Sequence, residues 1–339
     1  MAGTTFIQAI KGATPTVAGV TKLSDTSGIA MSVDDVTAAI PNKNYIINGN
    51  FDIWQRGTSQ TTDGYGSDDR WYNSNSISTK VHTQEEFAVG QTDVPNNPKY
   101  YSRTVVVTGG TTASRTAKFK NIEDVSTFTG QNVTLSFWAK ADANKNFGLS
   151  FEQVFGTGGS AKIKGIGLQL VPITTSWKKY EIVIFIPSIS GKTVGADSSI
   201  GLGLWFDAGN DHVASSGEVG TQSGTFDIAQ VKLEKGSVAT EFEPKTYAEE
   251  LRDCQRYYEK LGLYSIAGVS GAFSPGMRAN FVIQFETKRV IPTFNGTWIV
   301  YNGSLAPSIT SYTNKVSLSF DIGTWVNGYF EDITIDAEL

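Results

Sequence analysis

The sequence predicts a mainly β protein: an antiparallel β-sandwich (jelly roll), then a short coiled-coil helix, then a small C-terminal β domain. Three observations carry this. Among 339 residues, 12% are aromatic, 18% are charged and 35 are glycine, which favours many short strands and turns over helices. Apolar residues alternate with period two through segments separated by Gly/Asn/Ser/Asp-rich loops such as 156–160 and 208–224, with no helical pattern between them, as in an antiparallel sandwich. A heptad-like stripe at 247–261 then stands as a helical joint between two β blocks.

Residues 1–44 are small and polar and cannot bury a core of their own, so they read as an arm for attachment. Ser32-Val-Asp-Asp35 resembles a capping box before Val33, Val36, Ala39 and Ile40, which predicts a short helix that Pro41 ends.

The sandwich is placed at 45–243. Its strands show in the runs Val133/Leu135/Phe137, Phe147/Leu149/Phe151, Ile166/Leu168/Leu170, Tyr180/Ile182/Ile184/Ile186 and Ile200/Leu202/Leu204/Phe206. Phe226/Ile228, continuing to Val231 and Leu233, close the block. The opposite faces of three strands are glycine-rich: Gly148/Ser150/Glu152, Gly165/Gly167/Gln169 and Gly201/Gly203/Trp205. Strand glycine costs stability and wants a reason: sheet curvature, subunit packing, or a ligand lying close to bare backbone. For a ligand groove, Trp205 is the stacking platform and Glu152 and Gln169 are the hydrogen-bonding groups.

Within 244–262, Tyr247, Leu251, Cys254, Tyr258 and Leu261 are spaced four, three, four, three, the a/d seam of a two-heptad coiled coil. Thr246 and Glu249 form a capping box and Gly262 offers a stop. So short a seam must lie against copies of itself, as in a homotrimer, or against its own sandwich. The last block, 263–339, alternates again at Phe281/Ile283/Phe285 and Val316/Leu318/Phe320/Ile322, and ends on Ile333/Ile335/Ala337/Leu339. Asn327-Gly328 is a turn signal there. Its aromatic surplus, Trp298, Tyr301, Tyr312, Trp325 and Tyr329, predicts a surface completed by oligomer or receptor contact.

The net charge is −5 and no Lys/Arg cluster stands out, which argues against nucleic-acid or anionic-membrane partners. Cys254 is the one cysteine, so it reads as a small apolar seam residue, and no intrachain disulfide is expected. With no long apolar run and no signal-peptide pattern, the expectation is a soluble protein made in a reducing compartment. His82 and His212 are far apart, so no His/Cys metal spacing arises. Gly191-Lys-Thr193 and Gly165-Ile-Gly167 lack the surroundings of phosphate and dinucleotide loops. Asp68, Asp69, Asp207 and Asp211 are the acids available for glycosidase chemistry, and Asp63, Asp68 and Asp69 for a structural calcium. No cofactor is expected beyond that calcium.

Several stretches together resemble phage and prophage tail-fibre or receptor-binding proteins with a carbohydrate-binding-module-like jelly roll. Ala18-Gly-Val-Thr-Lys-Leu-Ser24 is similar to a repeat of tail-fibre shafts. Asn44-Tyr-Ile-Ile-Asn-Gly-Asn-Phe-Asp-Ile-Trp-Gln-Arg-Gly57 with Asp69-Arg-Trp71 resembles the opening of the jelly-roll module. Leu135–Ala141 resembles its central strand, and Ile228–Gly236 with Ala239–Pro244 its closing strand. Cys254-Gln-Arg-Tyr-Tyr258 is similar to the helix that follows. The resemblance implies a homotrimeric virion component, made in the host bacterial cytoplasm, whose arm docks on other tail proteins and which adheres to a bacterial surface glycan without chemistry. It implies receptor contact at the variable tip, with Trp298, Tyr301, Trp325 and Tyr329 as contact residues. It also implies a calcium between an acid on the first strand, near Asp52, and one on the last, although Phe226-Asp-Ile-Ala229 lacks the usual paired acids. The alternatives are a glycan-degrading tailspike and a structural tail connector.

Overall fold

The structure, a computed structural model, describes residues 23–24, 30–31, 43–262, 264–266, 278–302, 307–321 and 327–338. The helix expected over 33–40 and Trp325 lie outside the described residues. In the arm, β1 (Leu23–Ser24) and β2 (Ala30–Met31) pair antiparallel.

Eleven strands build the sandwich: β3 (Ser59–Gln60), β4 (Tyr72–Ser76), β5 (Thr79–Glu86), β6 (Tyr100–Val107), β7 (Arg115–Glu123), β8 (Gln131–Ala141), β9 (Lys145–Val154), β10 (Ile163–Ile173), β11 (Lys178–Ile186), β12 (Ser199–Ala208) and β13 (Gly224–Lys235). They form a five-stranded sheet, β10-β9-β12-β7-β4, and a six-stranded sheet, β11-β8-β13-β6-β5-β3. All the pairings within both sheets are antiparallel. The core holds Val133, Leu135, Phe137, Phe147, Leu149, Phe151, Ile200, Leu202, Leu204 and Phe206, each at most 1% exposed. These are the inward positions that the alternation picks out.

Two strands depart from simple alternation, each at a bulge. In β13 the register slips between Ala229 and Lys232, at Gln230 with its φ of 49°, so the inward phase jumps from Ile228 to Val231. In β10 the register shifts on both sides of Ile166, and Gly165 and Gly167 take φ of 69° and 60°. Leu168 and Leu170 therefore end 39% and 45% exposed, and Val171 and Ile173 take the inward places. The expectation that Ile166, Leu168 and Leu170 share the core face is corrected accordingly.

Strands β5, β6 and β7 carry polar groups where a core would normally be apolar. Lys80, His82, Ser102, Thr104, Lys118 and Lys120 are at most 3% exposed. Lys118 Nζ meets Asp68 at 2.5 Å and Asn73 Oδ1 at 2.7 Å, and Ser67 and Asn73 also donate to Asp68. Burial holds the Lys118 and Lys120 ammonium groups below their ordinary range, and pushes His82 down as well, helped by the positive charges of Lys118 and Lys80.

The helical stretch is shorter than the heptad stripe predicts. A four-residue α1 (Val213–Ser216) lies in the loop after β12, and α2 is Tyr247–Gln255, started by the Thr246/Glu249 capping box. The chain then becomes β14 (Tyr258–Lys260), which pairs with β20 (Asn327–Asp336). Tyr247 is 63% exposed, Leu251 half-buried, and Cys254 fully buried within its own chain. Tyr258 sits in the strand and Leu261 packs on the C-terminal core. The five residues therefore do not form one helical stripe. Tyr257, in the turn between α2 and β14, lies under Arg70, and Tyr258, the first residue of β14, lies under Arg56.

Beyond α2, β14, β15 (Tyr264–Ile266) and β17 (Thr293–Asn302) pair with β20, and β16 (Arg278–Gln284), β19 (Lys315–Asp321) and β18 (Ser308–Ser311) make a second sheet. A second core joins them: Ile283, Val316, Leu318, Phe330, Ile333 and Ile335.

The two β blocks meet at a charged joint. Arg70, 1% exposed, pairs with Glu338, donates to Asn121 O at 2.9 Å, and lies over the Tyr257 ring at 3.4 Å. Arg56 pairs with Glu338 and Asp336 at 3.3 and 3.4 Å and lies 3.5 Å over Tyr258. Glu250 accepts from the Asn48 amide, and Gln55 donates to Asp69 and to Tyr258 O. Glu338→Ala strands the buried Arg70 guanidinium, and removing one partner of a buried pair costs roughly 3–5 kcal/mol. Denaturant unfolding is expected to show a loss of about that size, and an unchanged midpoint would show that the joint holds by other contacts. Burial pushes the Asp69 carboxyl up to about 6 against the pull of Arg56. An unfolded aspartate titrates near ~4, so the native state keeps a proton that the unfolded chain releases, and this contribution is lost as pH rises through about 6. Raising the pH from about 4 to about 7.5 should therefore move stability ~2–3 kcal/mol in favour of Asp69→Asn over the wild type. Parallel pH–stability curves for the two proteins would contradict it.

Candidate functional site

The outer face of the five-stranded sheet carries a groove of about 410 Å³. Its floor follows from strand order and register. Gly203 of β12 stands between Ser150 of β9 and Phe119 of β7, and Tyr72 of β4 stands beyond Phe119. One row along, Gly201 lies between Glu152 and Asn121, and Trp205 between Gly148 and Ala117. Arg115, Lys162, Lys164, Asp211 and His212 line the rim.

The face glycines have separate causes. A Cβ on Gly148 would fall 1.6 Å from Ser216 O, and one on Gly165 would fall 2.6 Å from Ala214 O. These two glycines let the loop carrying α1 lie flat across the sheet as one wall of the groove. The loop is held from the other side: Asp211 and Gly209 amides donate to Thr112 O and Ser114 O at 2.9 and 2.8 Å. A Cβ on Gly203 would instead meet Trp205 Nε1 at 2.9 Å and the Phe119 ring at 3.1 Å, between the two aromatics that border the groove floor.

Trp205 is 5% exposed, so it is part of the floor, not an open stacking platform. Its Nε1 donates to Ser150 Oγ at 3.1 Å, Phe119 meets it edge-on at 5.3 Å, and His212 lies 6.0 Å away at 33°. The half-buried Phe119 and Tyr72 offer the accessible aromatic surface. Glu152 lies in the groove, paired with Lys162 at 2.9 Å. Gln169 does not join it: the β10 bulges set Gln169 across from Leu149, and it stays exposed outside the groove lining. Phe119, Asn121 and Tyr72 escaped sequence reading because their strands alternate with buried lysines and amides, not with apolar residues.

The tip residues do not converge. Trp298 is half-buried and packs 4.8 Å from Phe330, its cross-strand partner. Tyr329 pairs with Ile299 one position along, so it faces the other side of the sheet. Tyr301 has its backbone in β17, and its side chain, like Trp325, lies outside the described residues.

Three of the four acids considered for hydrolysis are buried and engaged. Asp68 meets Lys118, Asp69 meets Gln55, and Asp207 accepts from Ser78 Oγ and the Gln222 amide. Asp211 alone of the four reaches the groove. The acids considered for calcium are likewise turned to separate partners, with Asp63 accepting from the Asn75 amide, Asp52 from Asn50 and Asp227 from Arg103. Among the described residues no three His, Cys, Asp or Glu converge on a metal position. Among them, too, no helix is long and apolar enough to cross a membrane.

No family model matches the sequence. No curated protein matches it either. Solved structures similar to the chain include a putative sugar binding protein from Bacteroides thetaiotaomicron, at TM-score 0.35 and 14% identity over 57% of this chain and 100% of that one. The family 11 carbohydrate-binding module of a Clostridium thermocellum cellulosomal cellulase matches at TM-score 0.33 and 14% identity, over 52% of this chain and 95% of that one. The enzymatically active domain of tailspike protein 4 from bacteriophage CBA120 matches at TM-score 0.34 and 14% identity over 57% of this chain, a match that spans 21% of that solved chain.

Proposed function

We propose that the chain is a phage tail-fibre or receptor-binding component that holds a bacterial surface polysaccharide in the groove over β7, β12 and β9, without cleaving it. The observation that carries the reading is the groove itself: an open trough on a sheet face, bare at Gly203, bordered by Phe119, Tyr72 and Trp205, and edged by Asn121, Ser150 and Glu152. Apolar ring surface beside amide, hydroxyl and carboxylate groups is what a sugar ring needs, since its two faces are apolar and its rim is hydroxyl-bearing. The phage setting rests on the tail-fibre motifs. These fall on structural positions of the sandwich: Asn48 and Arg70 at the joint, Leu135–Ala141 in β8, and Ile228–Gly236 along β13. Binding without hydrolysis belongs to the same proposal; of the two groove carboxylates, Glu152 is ion-paired with Lys162 and Asp211 accepts from the Thr112 hydroxyl.

Three copies per fibre belong to the same proposal and would raise the avidity of weak single sites. The contact between copies would use surfaces other than Cys254 and Tyr258, which their own chain covers.

Phe119→Ala, which removes a wall, should lower affinity for host surface polysaccharide about tenfold or more with the fold retained. The wild type should release no new reducing ends from that polysaccharide. Release at a catalytic rate would favour the tailspike alternative, and no binding to host cells at all would favour the connector. Light scattering at micromolar concentration should give three chain masses; a single chain mass removes the threefold assembly.

A further inference from the structure

The charges around the groove are not balanced. Arg115, Lys162 and Lys164 face it, against Glu152 and Asp211. Lys162 and Glu152 neutralise each other at 2.9 Å. The Asp211 carboxylate accepts from the Thr112 hydroxyl at 3.2 Å. Arg115 and Lys164 have no carboxylate partner among the described residues, and Arg115 Nε is buried with no hydrogen-bond acceptor. A cationic groove in a chain of net charge −5 is a local exception to the rest of the protein. A guanidinium without a carboxylate partner can take one from a ligand, in the bidentate geometry that suits arginine.

Taking the polysaccharide-binding reading above as its basis, we infer that the groove selects an acidic polysaccharide, one whose sugar rings carry carboxylates repeated along the chain. Arg115 takes one carboxylate and Lys164 another. Arg115 is on β7 and Lys164 on β10, with β12 and β9 between them. Three strand spacings separate their backbones by ~14 Å across the sheet, and the register sets Arg115 about six residues, ~20 Å, further along the strands than Lys164. That distance is spanned by several linked sugars and not by one, so the ligand runs diagonally over the sheet face, crossing the Phe119, Gly203 and Ser150 row on the way. A free acidic monosaccharide reaches one cation only and binds weakly. Neutral chains of the same length lack the two charge-assisted contacts.

The probes are oligosaccharides of a polyuronate and size-matched neutral glucan oligosaccharides, titrated calorimetrically into the intact protein. The polyuronate is expected to bind at least about tenfold tighter, as one charge-assisted hydrogen bond provides, and its affinity should fall as salt rises. Arg115→Gln and Lys164→Gln should each remove about tenfold of that affinity and flatten the salt dependence. Lys164 is exposed on the edge strand, so its variant tests the inference even where Arg115→Gln disturbs folding. Equal affinity for the neutral glucan, or polyuronate binding unchanged in Lys164→Gln, overturns the acidic selectivity. Host polysaccharide binding that Phe119→Ala abolishes but Lys164→Gln leaves intact also overturns the inference while the groove reading stands. Binding that none of these variants alters removes the groove reading itself.

Discussion

The Arg70–Glu338 pair is the contact on which the arrangement of the two β blocks depends. Arg70 is almost wholly buried in a loop of the sandwich, at a left-handed backbone position with φ of 69°. It is held by a carboxylate from the chain's far end, a backbone carbonyl of β7 and the face of Tyr257. A guanidinium so placed requires its partners, because an uncompensated charge is costly away from water. Arg56 repeats the arrangement beside it over Tyr258, sharing Glu338. The helix that leads into the joint ends at Gln255, and the residues after it stack under these arginines and enter the β20 ladder.

The same economy of paired charge runs through the end of the sandwich nearest that joint. Lys118, Asp68, Asn73, Ser67 and Gln60 form a hydrogen-bonded group where aliphatic packing would be usual. A satisfied network of this kind adds directional constraint that a greasy core lacks. With Lys118 turned inward to this network, Arg115, Phe119 and Asn121 of β7 turn outward, to the groove.

The groove in turn depends on glycine in two different ways. At Gly148 and Gly165 the missing side chain admits the chain's own loop, which becomes a wall. At Gly203 it leaves room between Phe119 and Trp205, at the border of the groove floor. An acidic protein thus presents a trough lined by three cations against two carboxylates, on a sheet paired antiparallel from β10 to β4.

Period-two alternation by itself determined the sandwich class and most of its core, because inward positions of β8, β9, β11 and β12 are aliphatic or aromatic and most of their neighbours, Trp138, Val183, Phe185 and Trp205 apart, are not. It determined the α2 start through the Thr246/Glu249 box, a local interaction that needs nothing beyond its own turn. It could not show β5–β7, whose inward residues are lysine, histidine, serine and threonine, buried because tertiary partners pay their desolvation. Nor could it show the β10 phase change, which arises at two left-handed glycines, or the end of α2, where stacking under Arg56 and Arg70 overrides a helical spacing that the sequence supports equally well. Which side chains share the groove was decided by strand order, a long-range property: β7, β12 and β9 are far apart in the chain and meet only when non-local hydrogen bonds align them.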